Sequence, residues 1–94
     1  METRLDEASA LLKAMASPHR LMVLCNLVGT ECTVSELQMH LPLSQSALSQ
    51  HLAVLRHERL VQTRREAQSV YYRLVPGPAL KLIEQLHDAY CVRE

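Results

Sequence analysis

Leu5, Ala8, Leu12 and Met15 recur at the spacing of one helical face, and Ser17-Pro18 then supplies a cap and a first position for a second helix. Leu21, Leu24, Cys25 and Val28 share a face of that second helix, which turns Cys25 inward, and Gly29 is placed to end it. Thr33-Val34-Ser35-Glu36 is a capping box that predicts a short third helix to about His40. Pro42 closes it, and Ser44 caps a fourth helix reaching about Glu58. Two short helices joined by a turn of a few residues form a helix-turn-helix over about 33–58.

From residue 60 the period changes to two. LVQTRREAQSVYYRLV alternates so that Val61, Thr63 and Arg65 lie opposite Val70, Tyr72 and Leu74, which predicts a hairpin over about 60–75. Its tip, near Glu66-Ala67-Gln68, has no Gly, so a loop longer than two residues is expected. Pro76-Gly77-Pro78 starts a last helix with Ala79, Ile83, Leu86 and Tyr90 on its apolar stripe. The order is α-α-α-α-β-β-α, mainly α with a small β-hairpin, in a single domain over 1–94.

The fourth helix is unusual on its polar side. Gln45, Ser46, Ser49, Gln50 and Ala53 lie opposite Ala47, Leu48, Leu52 and Leu55, where a solvated helix would carry Lys and Glu. Short neutral groups fit the major groove: Gln pairs with adenine, Ser serves several bases and Ala touches a thymine methyl. The formal net charge is zero, yet residues 50–73 carry five Arg against two Glu. Arg56 and Arg59 at the helix end, with Arg64, Arg65 and Gln68 on the hairpin, are therefore expected at the DNA backbone or minor groove. Ser44, which opens the reading helix, completes the expected DNA-binding set.

Other classes fare worse. No apolar run reaches the roughly 18 residues of a membrane span, and METRLDEASA is unlike a secretory signal, so a cytoplasmic protein without membrane contact is expected. There is no Gly-rich phosphate loop, Cys-x-x-Cys pair or oxyanion site, hence no catalytic residue, no enzyme and no cofactor. A chain of 94 residues buries only about two-thirds of its unfolded surface, which favours partner subunits. Cys25, Cys32 and Cys91 make an odd count in a reducing compartment, so any disulfide is conditional.

LSQSALSQHLAVLRHERLVQTRREAQSVYYRL resembles the winged helix-turn-helix of the ArsR-type bacterial repressors, and the likeness runs from KAMASPHRLMVLC to the final helix. The resemblance implies a homodimer formed through the first and last helices, about 4–16 and 78–92, whose paired reading helices bind an inverted-repeat operator in double-stranded DNA. It departs from the family where a Gly often precedes the wing's Leu-Val: this chain has Arg59, and a left-handed Arg there costs ~1 kcal/mol relative to Gly.

Metal sensing in this family uses a Cys-x-Cys pair on the third helix, but Thr33 and Ser35 stand at the matching positions and are poor soft-metal ligands. Cys32 lies one residue outside that pair, and His87 and Asp88 lack a downstream His/Glu set, so no metal site is expected. Cys25 and Cys91 instead match the cysteine pair of the sulfur-sensing branch, the BigR, SqrR and HlyU group. That likeness implies redox sensing: a disulfide or polysulfide bridge between Cys25 and Cys91, made by a reactive sulfur species or oxidant, releases DNA. Cys91 is expected to attack first and Cys25 to resolve, with His87, one turn before Cys91, as a thiolate neighbour. The implied targets are sulfide, persulfide or oxidant-response genes. A metal-sensing repressor and a redox-responsive antirepressor of virulence or biofilm genes are the alternatives.

Overall fold

The computed structural model describes the backbone of residues 2–91 and the side chains of residues 4–91. Along the chain come α1 (Glu2–Met15), α2 (Pro18–Asn26), α3 (Val34–Gln38), α4 (Gln45–His57), β1 (Val61–Glu66), β2 (Ser69–Leu74) and α5 (Pro78–Tyr90). This is the expected order; the expected end of the last helix, residue 92, lies outside the described residues.

Local chemistry sets the helix starts. Ser17 Oγ accepts from the Arg20 amide at 3.3 Å with Pro18 in the first turn of α2. At α3 the Glu36 amide donates to Thr33 Oγ1 at 3.1 Å while the Thr33 amide donates to Glu36 Oε1 at 2.9 Å, closing the capping box. Ser44 Oγ accepts from the Ala47 amide at 3.1 Å and so opens α4.

The core is built where these helices meet. Leu24 and Leu27 of the α2 segment, Leu37 of α3, Leu48, Leu52 and Leu55 of α4, and Ile83 of α5 are all buried in one cluster. Met15 brings the end of α1 to it, and Leu60, Val61 and Leu74 bring the root of the hairpin. No helix among the described residues is long and apolar enough to cross a membrane.

The outer helices differ from the expected stripes in an informative way. On α1 the core-facing residues are Leu11, Ala14 and Met15, whereas Leu5 and Leu12 are 60% and 52% exposed. On α5 Ile83 is buried and Ala79 and Leu86 pack on the core, but Tyr90, expected on the same stripe, is exposed. α1 is thus apolar on two sides, and one side has no cover among the described residues. Leu12, Ala8 and Leu11 of α1 face Ala79 and Leu82 of α5 across a groove of about 840 Å³.

The hairpin pairs Val61 with Leu74, Thr63 with Tyr72 and Arg65 with Val70, the alternation expected of it. The tip corrects the expectation of a longer loop: Glu66 pairs with Ser69, leaving only Ala67 and Gln68 between the strands. Ala67 takes φ 54°, the positive value that two-residue hairpin turns require at their first central position and usually fill with Gly. At the root, Cys32 forms a bridge with Tyr72, its amide donating to the Tyr72 carbonyl at 3.0 Å and its carbonyl accepting from the Tyr72 amide at 2.8 Å. The loop between α2 and α3 thereby adds a one-residue third strand to the sheet.

α4 ends in a Schellman motif. The Leu60 amide donates to the Leu55 carbonyl at 2.9 Å and the Arg59 amide to the Arg56 carbonyl at 3.0 Å, with Arg59 at φ 62°. Leu55 and Leu60 are both buried, the apolar contact that accompanies this cap. The hydrogen bonds and the contact hold an Arg in a conformation that suits Gly. Arg59→Gly and Ala67→Gly should each raise stability by about 1 kcal/mol, measured as an increased urea midpoint at one fixed protein concentration. An unchanged or lowered midpoint for Arg59→Gly would mean that the arginine side chain offsets its backbone strain.

Candidate nucleic-acid interface and thiol site

Leu48, Leu52 and Leu55 are 0%, 1% and 0% exposed, so the rotation of α4 about its axis is fixed. Directly opposite them, at helical spacing, run Ser46, Gln50, Ala53 and His57, all exposed. Gln45, Ser49 and Arg56, also exposed, occupy one flank of that line, and Ala47, His51 and Val54 occupy the other. The outward surface is short and neutral along the first three turns and ends in the cations of Arg56 and Arg59. Such a cylinder can enter a major groove about 12 Å wide and present amides and hydroxyls to base edges. His57 was missed by sequence reasoning, although its spacing from Ser46, Gln50 and Ala53 contains the signal.

The hairpin that follows α4 carries the remaining expected DNA contacts. Arg65 and Gln68 are exposed near its tip. Arg64 is differently occupied: its Nε and Nη2 donate to the two carboxylate oxygens of Glu31 at 2.7 and 2.9 Å, and its Nη1 to Glu66 at 2.6 Å. Its guanidinium also lies 4.7 Å from the centroid of the Tyr71 ring. The Arg64 hydrogen bonds hold the Glu31 carboxyl below its ordinary pKa and hold the guanidinium protonated. Arg64 therefore ties the wing to the loop before α3, and it meets a phosphate only by sharing a group now held by carboxylates.

Cys25 and Cys91 come together although 66 positions separate them in sequence. Both line a cavity of about 390 Å³ between α2 and α5, walled by Pro18, Leu21, Met22, Leu86 and Tyr90. Neither is in a disulfide; Cys25 is buried, and Cys91, the C-cap of α5, is exposed. Burial pushes the Cys25 thiol up from 9.0 to about 11, and the neighbouring Cys91 thiol adds to the rise through hydrogen bonding and charge. His87 is one turn before Cys91, but its Nδ1 faces the Asp88 carboxylate at 3.3 Å. Cys32, at the root of the wing, is not among the groups lining this cavity. Among the described residues no three His, Cys, Asp or Glu side chains converge as a metal site requires.

Residues 17–63 match the family model described as bacterial regulatory protein, arsR family. The transcriptional activator HlyU of Vibrio cholerae is 53% identical over 91 residues, covering 97% of this chain and 84% of that protein. The biofilm growth-associated repressor of Agrobacterium fabrum is 46% identical over 94 residues, covering 100% of this chain and 80% of that protein. Among solved structures, reduced HlyU from Vibrio cholerae gives a TM-score of 0.89 at 52% identity, covering 98% of this chain and 97% of that one. The homodimeric winged helix-turn-helix DNA-binding domain Mb0332 from Mycobacterium bovis gives 0.84 at 26% identity, covering 94% of this chain and 82% of that one.

The raised Cys25 thiol has a measurable consequence. Its neutral form is favoured by the fold, so its stabilising contribution holds below pH 9.0 and is lost as pH climbs toward about 11. At pH 8 the thiolate fraction of Cys25 should be about a hundredfold below that of an unshifted thiol. Alkylation of folded, reduced protein with iodoacetamide, followed by peptide mass spectrometry, should therefore show Cys25 reacting with a midpoint near 11. A midpoint at the ordinary value would show that the cavity does not shield this sulfur.

Proposed function

Because the chain belongs to the arsR family of bacterial regulatory proteins, and is therefore a transcriptional regulator and not an enzyme, we propose that it is a homodimeric repressor switched by sulfur chemistry. In this reading the dimer binds an inverted-repeat operator in double-stranded DNA, controls sulfide, persulfide or oxidant-response genes, and leaves the operator when Cys25 and Cys91 are joined. The observation that carries the switch is that the two thiols wall one cavity at the contact between α2 and α5.

The apolar side of α1, with Leu5 and Leu12 exposed and Leu12 sharing a groove with Leu82 of α5, supports pairing with a second copy through the outer helices. Two-fold pairing sets two α4 helices about one DNA turn apart, near 34 Å, as successive major grooves require. Ser44, Gln45, Ser46, Ser49 and Gln50 are the proposed readers of base edges, and Arg56, Arg65 and Gln68 the proposed backbone or minor-groove contacts. Arg64 joins the contacts while also bracing the wing through Glu31.

An organic persulfide supplies the oxidising equivalents. The Cys91 thiolate attacks the outer sulfur of R–S–S–H, giving Cys91–S–SH and releasing the thiolate RS⁻. The Cys25 sulfur, on losing its proton, attacks the Cys91 sulfur and expels HS⁻, which leaves a disulfide, RSH and H₂S. A second persulfide turned over at Cys25 gives instead a bridge holding one extra sulfur atom. Burial keeps Cys25 protonated, which leaves the first attack to the exposed Cys91, and the resolving attack follows only when Cys25 loses its proton. A covalent link between α2 and α5 pulls on a dimerisation helix from a core helix, and the symmetry of the pair doubles any resulting tilt of the reading heads.

One observation favours a second reading. The relative at 53% identity is named an activator, whereas the one at 46% is named a repressor. An antirepressor that displaces another regulator would use the same DNA surface and the same thiols, and would differ only in what else occupies the site.

Selection from a random duplex pool should return an inverted repeat, and treatment with a persulfide donor should weaken its binding at fixed salt by about tenfold or more. Cys25→Ser and Cys91→Ser should each abolish that response, and intact mass should report either loss of two hydrogens or retained sulfur in the bridge. Equal affinity of the reduced and treated proteins would remove the switch, and a pool without sequence preference would remove the operator. Gln50→Ala should cost about 1–3 kcal/mol on the selected duplex and little on random duplex, because it takes away a base contact and not a charge.

A further inference from the structure

Outside the surfaces already described, one cluster of basic groups stands on the flank of α4. The His51 ring lies 5.8 Å, centroid to centroid, from the His19 ring of α2, inclined at 50°. Arg20 follows His19 in the first turn of α2, and its Nε donates to the Ala14 carbonyl at 2.7 Å, which anchors the guanidinium and leaves its other N–H groups for a further acceptor. We infer that His19, Arg20 and His51 form a binding site for a DNA backbone phosphate, a clamp on the side of the reading helix that no base contact uses. This rests on the DNA-binding reading of α4.

Geometry is the main support. A helix seated in the major groove with Ser46, Gln50 and Ala53 toward the base edges turns its two flanks toward the two phosphodiester strands that border the groove. One flank carries Arg56. The other carries His51, which sits one position round from Gln50 and is joined there by the α2 groups. Both walls of the groove then meet nitrogen donors.

Electrostatics agree. Burial, Arg20 and His19 together lower the His51 pKa, so the free protein holds positive groups close together at a cost that an anion between them would relieve. The charged groups of the other elements packed on α4, namely Glu36 of α3, His40 in the turn after it, and Arg64, Arg65 and Glu66 of β1, are not among those that shift His51, and neither are Arg56 and His57 of α4 and its C-cap Glu58. A phosphodiester brought to the cluster reverses the repulsion and raises the His51 pKa, so binding takes up protons and tightens as pH falls through the histidine range.

The test uses the full reduced chain and a fluorescein-labelled duplex of mixed sequence, about 30 base pairs long, because a phosphate contact is independent of sequence. Anisotropy titrations across a salt series at pH 5.5 and pH 8.0 compare the natural chain with His19→Gln/His51→Gln. At pH 5.5 the double variant should show a salt slope shallower by about 2, one phosphate per half of the dimer, and about tenfold weaker binding at low salt. At pH 8.0 the two proteins should nearly coincide. A merely structural role for these residues would shift both pH values alike, and that result, or equal slopes at pH 5.5, overturns the clamp. Should the double variant fail to fold, the NMR titration of the His51 ring in the natural chain serves instead: duplex should move its midpoint upward, and an unmoved midpoint overturns the clamp. Binding with unchanged slopes sinks the clamp alone, whereas no binding at any salt sinks the DNA-binding reading with it.

Discussion

The burial of Leu48, Leu52 and Leu55 is the constraint on which the rest depends. Three leucines on one side of thirteen residues lock α4 against rotation, and a locked helix presents a defined opposite face. Leu37 from α3, Leu24 from α2 and Leu60 from the cap close around them, so every neighbouring element is aligned to the same axis. Loss of one of these leucines would leave a cavity and blur which side chains α4 turns outward. The uncharged exterior of α4 is affordable because its attachment comes wholly from the inner side.

Much of this was legible in the sequence because it is local. Thr33-Glu36, Ser17-Pro18 and Ser44 fix helix starts through hydrogen bonds that span three residues, and the alternation of Val61, Thr63 and Arg65 fixes which hairpin face is which. The hairpin tip departs from expectation because the absence of Gly does not exclude a tight turn. Six paired positions in each strand instead hold Ala67 in a conformation it does not favour. Arg59 follows the same logic at the end of α4, where paired amides and a leucine contact outweigh local preference.

What the sequence hid was the pairing of distant groups. Arg64 reads as a free cation until Glu31, 33 positions earlier, is found against it. His51 reads as one more residue of the reading helix until His19 appears beside its ring. The stripe expected on α1, Leu5, Ala8, Leu12 and Met15, mixes two faces: Met15 serves the core together with Leu11 and Ala14, which lie outside that stripe, while Leu5 and Leu12 are exposed. The period of a single chain does not separate an apolar face that its own interior covers from one that it leaves exposed.

The bridge between Cys32 and Tyr72 gives the wing a mechanical character. Tyr72 is bonded to Cys32 on one side and paired with Thr63 on the other, and Arg64 adds a second strut to the same loop. Beyond those points, among the described residues, the ribbon is tied only to itself, by the strand ladder and the Arg64–Glu66 ion pair. It is a cantilever, held at the root and free at the end, so in the proposed complex its outer half would follow a duplex of varying width while α4 keeps its heading.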